Sequence, residues 1–179
     1  MELNKNLIKQ SKHLSYLLRH QKEEPQIDDN GYALVKEVLQ YLKDVSLNDL
    51  KLIVENNDKK RFEFSKDFSK IRAVQGHTIN VDVELNEQIP PKILYHGTYT
   101  KAIPLIKKNG INKMKRLYVH LTENINIAKD NGKRFGNPCV IIVDTEQMSK
   151  DGIKFFKSKN NIWLTNFVDT KYIKEIQYF

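Results

Sequence analysis

At 179 residues the chain has room for one domain or two small lobes, and 40% hydrophobic with 29% charged residues describes a folded polypeptide, not a disordered one. The net charge of +8 points to a polyanionic partner. A single cysteine, Cys139, excludes an internal disulfide and a multi-thiolate metal site; polar residues interrupt residues 1–12, and no run approaches the roughly 18 apolar residues of a membrane span, so a cytoplasmic protein away from the membrane is expected.

Leu3, Leu7, Ile8, Leu14, Leu17 and Leu18 recur at helical spacing and predict an amphipathic helix over residues 3–20, with Arg19 and His20 at its C-terminal end. A cation is favoured there by the helix dipole. A polar loop follows at 21–25, then a helix over 35–42. Ser46 and Asp49 resemble a capping box that opens a third helix through about Val54. Residues 57–60 read as a turn, and 61–65 and 70–75 alternate as two strands. Three helices and a hairpin are the order of a winged-helix module, although any small α+β lobe fits the pattern as well. Ile89-Pro90-Pro91-Lys92 marks the expected boundary between an N-terminal lobe, 1–88, and a C-terminal lobe, 93–179. Beyond it, 93–95, 117–121, 140–143, 155–157 and 172–179 read as strands, and 100–108 and 124–130 as short helices. Many short strands with few helices predict an α+β fold with a mixed, largely antiparallel sheet. Cys139, flanked by apolar residues, reads as a buried strand residue.

Charge is unevenly spread. Residues 1–88 hold 14 Lys and Arg against 15 Asp and Glu, whereas 89–179 hold 16 against 7. The densest stretch, with Lys107, Lys108, Lys113, Lys115 and Arg116, is either a surface for a polyanionic partner or a solvated loop.

Four of the five histidines lie in short polar motifs, Leu18-Arg19-His20-Gln21, Gln75-Gly76-His77-Thr78, His96-Gly97-Thr98 and His120-Leu121-Thr122. Imidazole and guanidinium together hold phosphate and move protons around it. P-loop, dinucleotide-fingerprint, HExxH and paired-cysteine motifs are missing, so metal catalysis is not expected. Each H-x-T triplet follows or ends a predicted strand, and alternation puts its His and Thr on one face. Two such pairs facing one another would suit a two-histidine phosphoesterase acting on cyclic phosphates. Gly97 suggests close approach of a ligand to the backbone. Trp163 reads as core packing in preference to ligand stacking.

Taken in order, Leu14-Ser15-Tyr16-Leu17-Leu18-Arg19-His20, Asn57-Asp58-Lys59-Lys60-Arg61-Phe62, Ile71-Arg72-Ala73-Val74-Gln75-Gly76-His77-Thr78 and Leu94-Tyr95-His96-Gly97-Thr98 resemble the signature blocks of the NAD-dependent RNA 2′-phosphotransferase family. Arg116-Leu117-Tyr118-Val119-His120-Leu121-Thr122, Gly132-Lys133-Arg134 and Asn160-Asn161-Ile162-Trp163-Leu164-Thr165 continue the series across nearly the whole chain. The resemblance implies an N-terminal winged-helix RNA lobe and a C-terminal ADP-ribosyltransferase-like lobe that binds NAD, in a monomer. It implies catalysis by Arg19, His20, Arg61 and Arg134, NAD contacts from His96, Gly97, Thr98, His120, Leu121 and Thr122, and RNA contacts from Lys59, Arg72, Gln75, Gly76 and His77. For Arg72 a structural role is the alternative.

The implied reaction has two steps. The RNA 2′-phosphate attacks the nicotinamide riboside carbon of NAD and expels nicotinamide. The new ribose 2″-hydroxyl then attacks the phosphate, releasing 2′-hydroxyl RNA and ADP-ribose 1″,2″-cyclic phosphate. No metal is implied and no catalytic glutamate is matched. A nucleophile that is already an anion needs no carboxylate base, and a nearby Glu would repel it.

Overall fold

Leucines at helical spacing and a capped start produce the first element. The computed structural model describes residues 3–21, 23–57 and 59–179; Met1, Glu2, Lys22 in the loop predicted at 21–25 and Asp58 in the turn predicted at 57–60 lie outside them. Helix α1 (Lys5–His20) begins at Asn4, whose side chain accepts from the Leu7 amide, and buries Leu7, Leu14, Leu17 and Leu18 along one stripe. The chain divides into two compact units, Met1–Glu84 and Leu85–Phe179.

In the first unit α1 is followed by β1 (Tyr32–Leu34), α2 (Val35–Tyr41), α3 (Leu47–Glu55), β2 (Phe62–Phe64) and β3 (Lys70–Ala73). The Ser46–Asp49 pair forms a complete capping box: each side chain bonds the other's main-chain N–H, so the shorter carboxylate serves as well as Glu. The three strands form an antiparallel sheet in the order β1-β3-β2, with Ile71 of the central strand opposite Ala33 and Phe64. Helices α1 and α3 and this sheet enclose a core of Leu14, Leu18, Val38, Leu50, Ile53 and Ile71, all of them essentially inaccessible. Strand β1 is too short for a two-residue alternation to announce it.

The second unit opens with β4 (Asn86–Glu87), so Pro90 and Pro91 lie within it. Then come β5 (Ile93–Tyr99), a 3-10 turn at Thr100–Ala102, α4 (Ile103–Asn109), β6 (Ile111–Asn112), β7 (Val119–Leu121) and α5 (Ile125–Gly132). They are followed by β8 (Pro138–Asp144), α6 (Thr145–Lys150), β9 (Phe156–Lys157), β10 (Trp163–Thr165), β11 (Phe167–Val168), a second 3-10 turn and β12 (Ile173–Tyr178). Strand β8 lies between β12 and β5, and Cys139 in it is fully buried, as its apolar flanks predict. A second sheet runs β4-β9-β10-β7, with Trp163 paired to Leu121 and buried in the core. All the paired strands described are antiparallel, so the molecule is α+β. No described helix is long and apolar enough to cross a membrane.

Candidate active site

The core-facing stripe of α1 leaves Arg19 and His20 at its open end, where the last carbonyls have no helical partner. The Arg19 carbonyl is met instead by Thr78, from its N–H at 2.9 Å and its hydroxyl at 3.3 Å. The same hydroxyl lies 3.1 Å from His20 Nδ1. His20 is exposed, and Tyr16, one turn back, sets its ring 6.0 Å away at a 48° tilt. Gly76 has φ +88°, and a Cβ there would lie 3.5 Å from Cζ and Nε of Arg19, so the guanidinium runs along the glycine's bare face. Gln75, beside it, is half-buried.

Two predicted RNA contacts are turned into the fold. His77 is 2% exposed, and among the described residues its Nε2 has no hydrogen-bond partner. Desolvation foremost, then the charges of Arg19, His20 and Arg72, push its pKa down to about 4, so the ring is neutral at physiological pH. Arg72, also 2% exposed, donates from Nε to Glu63 at 2.7 Å, from Nη1 to the Asn30 carbonyl at 2.9 Å and from Nη2 to Glu84 at 3.4 Å. Its guanidinium also stacks on Tyr32, 4.3 Å from the ring centre. These contacts fit the structural alternative for Arg72.

Arg61 stands just before β2, half-buried. Asn57 orients it: the Asn57 carboxamide oxygen accepts from the Arg61 main-chain N–H at 3.1 Å and from Nη1 at 3.3 Å. The carboxamide nitrogen of Asn57 reaches Ser11 Oγ of α1 at 3.4 Å, which ties Arg61 to the helix carrying Arg19 and His20. Lys59, half-buried, belongs to the same turn.

In the second unit the two H-x-T triplets come together. Tyr95 and Thr122 exchange main-chain hydrogen bonds of 2.8 and 3.0 Å, and His96 Nδ1 lies 3.0 Å from the His120 carbonyl. A carbonyl only accepts, so Nδ1 carries the hydrogen and Nε2 the lone pair. Desolvation, and secondarily Arg116, lower the His96 pKa against the raising effect of that hydrogen bond. Both imidazoles are half-buried, whereas Leu121, Thr98 and Thr122 belong to the buried interior. Gly97 does make a close approach, but to helix α5: a Cβ there would fall 1.8 Å from the Ala128 carbonyl oxygen. Gly132 answers it, since a Cβ there would meet the Thr98 carbonyl at 2.2 Å. This double lock delivers Lys133 and Arg134, both exposed, from the end of α5 beside the His96 strand. Desolvation, and then the charge of Arg134, lower the pKa of Arg116, an exposed side chain, so the two like charges oppose one another. A bound anion relieves such a repulsion.

Thr78, Asn57 and Arg116 lie within the motif blocks, but the sequence assigned none of them the partners they have here. Thr78 and Arg116 act through neighbours distant in sequence, for which a linear motif carries no signal, whereas Asn57 bonds Arg61 four residues on.

Cations gathered about an exposed imidazole and a second paired-cation site are the equipment of phosphate chemistry. Residues 5–167 match the family model described as RNA 2′-phosphotransferase, Tpt1/KptA family. A probable RNA 2′-phosphotransferase of Fusobacterium nucleatum is 44% identical over 176 residues, covering 94% of this chain and 98% of that protein. One from Flavobacterium johnsoniae is 43% identical over 181 residues, with 96% and 98% covered, and one from Burkholderia pseudomallei is 39% identical over 170 residues, with 92% of each covered. The chain belongs to the RNA 2′-phosphotransferase family, a family of transferases.

Proposed function

We propose that this chain removes a 2′-phosphate from RNA with NAD as the consumed co-substrate, through an RNA joined to ADP-ribose by its 2′-phosphate. The family match across both units carries the reading. The first unit then serves as a winged-helix RNA lobe, in keeping with its helices and three-stranded antiparallel sheet, and the second as an ADP-ribosyltransferase-like lobe.

NAD, when bound, supplies the ADP-ribosyl group that accepts the phosphate as nicotinamide leaves. The residues present suit it: the His96 Nε2 lone pair is an acceptor for a ribose hydroxyl, and Arg116 with Arg134 suits a phosphate. In the first step Arg19 and Arg61 orient the ionised RNA phosphate, and no base is required. In the second, the ribose 2″-hydroxyl gives up a proton as its oxygen bonds to phosphorus, and the RNA 2′-oxygen gains one as its bond to phosphorus breaks. His20 handles that exchange, and the arginines stabilise charge on the phosphoryl oxygens. A two-histidine phosphoesterase needs imidazoles opposed across a phosphate, whereas His96 bonds the main chain of His120.

Incubation of a 2′-phosphorylated oligonucleotide with and without NAD, followed by mass analysis, tests the reading. Expected are 2′-hydroxyl RNA, nicotinamide and a cyclic phosphate of ADP-ribose, only when NAD is present. Phosphate loss without NAD, or none with it, overturns it. His20→Ala is expected to release nicotinamide yet accumulate ADP-ribosylated RNA, slowing the second step about 10²–10⁴-fold.

A further inference from the structure

The Thr78 hydroxyl stands between two groups of α1, His20 Nδ1 at 3.1 Å and the Arg19 carbonyl oxygen at 3.3 Å. A carbonyl only accepts, and a threonine hydroxyl has a single proton to give. With that proton directed at Arg19, the hydroxyl oxygen offers lone pairs to the ring, and Nδ1 must be the donor. The opposite arrangement, a hydroxyl donating to a bare Nδ1, has to be undone whenever the ring takes up a proton, because an imidazolium carries hydrogen on both nitrogens. Only the first serves the neutral and the charged ring alike. The Thr78 main-chain N–H, 2.9 Å from the same carbonyl, keeps the hydroxyl in register with it.

We propose that Thr78 is a positioning residue for His20, holding the neutral ring as the Nδ1–H tautomer so that Nε2 is the nitrogen that exchanges the proton during phosphoryl transfer. The inference rests on the role of His20 given above. In that step the bond from the ribose 2″-oxygen to phosphorus forms as the bond from phosphorus to the RNA 2′-oxygen breaks. One proton leaves the first oxygen and one arrives at the second. Nε2 takes the proton when bare and gives it when protonated, while Nδ1 keeps its hydrogen and its acceptor throughout. The proton chain Nδ1–H to hydroxyl to carbonyl ends on a group that cannot donate, which fixes its direction. An imidazole without such a partner favours the other tautomer, which would present an N–H where the base is required.

Thr78→Val removes the hydroxyl at nearly constant shape, and Thr78→Ser retains it. In protein carrying ¹⁵N-histidine, ¹H–¹⁵N spectra above the histidine titration range report which ring nitrogen bears hydrogen, with His20→Ala identifying the His20 signals. Expected are a protonated Nδ1 in the native protein and in Thr78→Ser, and a shift toward protonated Nε2 in Thr78→Val. Full-length Thr78→Val is expected to slow the second step about 10–100-fold, the scale on which loss of an orienting partner acts, with nicotinamide release little changed and Thr78→Ser restoring the rate. A bare Nδ1 in the native protein overturns the proposal. So does a Thr78→Val protein with unchanged tautomer and second step, or one that loses both steps equally along with thermal stability. If His20→Ala leaves the second step intact, the role of His20 itself fails. If His20→Ala blocks that step and Thr78→Val does not, the Thr78 proposal alone fails.

Discussion

Acid should destabilise the first unit through His77 well before its carboxylates titrate. The ring is held neutral at a pKa of about 4, against 6.5 for an unperturbed histidine, chiefly because it is buried, and the neighbouring cations add to the effect. The folded pKa is depressed, so the stability His77 contributes is complete above 6.5 and is lost as pH falls toward 4, while the unfolded chain binds a proton that the folded one refuses. Over that interval of 2.5 units the loss reaches about 3 kcal/mol, and about 2.5 kcal/mol of it falls between pH 7.5 and 4.5. Against a typical domain stability of about 5–15 kcal/mol this is a large fraction. The measurement is urea unfolding between pH 7.5 and 4.5, followed by NMR signals of the first unit. The native midpoint should fall by roughly 1–2 M, and His77→Leu, which cannot titrate, should lack this component. The imidazole resonances of His77 should remain those of the neutral ring until the pH nears 4. Parallel losses in the native protein and the variant, or a His77 that titrates near 6.5, would refute the reasoning.

Three other perturbations have definite expected results. Arg72→Met leaves Glu63 and the Asn30 carbonyl without their buried donor, and chemical denaturation should show a loss of about 3 kcal/mol in the first unit. Gly97→Ala drives a methyl into the Ala128 carbonyl, where no side chain can yield, and should lower stability of the second unit by about 1–3 kcal/mol or prevent soluble expression; a melting temperature equal to that of the native protein would contradict the lock between β5 and α5. Replacing Lys113 and Lys115 by Gln should weaken RNA binding and reduce its salt dependence by up to two contacts, as read by affinity titrations across ionic strength, whereas an unchanged slope would return the stretch to the solvated-loop reading.

The sequence disclosed most where a single side chain serves a single local rule. The leucine stripe of α1 and the Ser46–Asp49 cap were legible because helix periodicity and capping are short-range. Strands β1 and β10 were not, since Tyr32–Leu34 is too short to alternate and Trp163, Leu164 and Thr165 are all buried. Gly97 shows a subtler limit: the need for a small residue was visible, but the atom imposing it belongs to Ala128, not to a ligand. Arg72 and His77 sit in the same polar motifs as exposed residues, and only the approach of Asn30, Glu63 and Glu84 to the one, and of Gly31 to the other, marks them as interior. The pairing of Arg116 with Arg134 and the bond from Asn57 to Ser11 likewise join segments that no linear motif spans.

The bond between Thr78 and the end of α1 also sets an order of events during synthesis. Helix α1 leaves the ribosome before the rest of the first unit, with Arg19 and His20 at its tip. Their carbonyl clamp arrives 59 residues later, on the chain that follows β3. Domains tend to fold as units once their sequence has emerged. A nascent chain that ends short of Thr78 therefore displays both residues on a helix whose last turn is still free to fray. The reactive corner is assembled only when nearly all of the first unit has been made, so truncated products carry its side chains without its geometry.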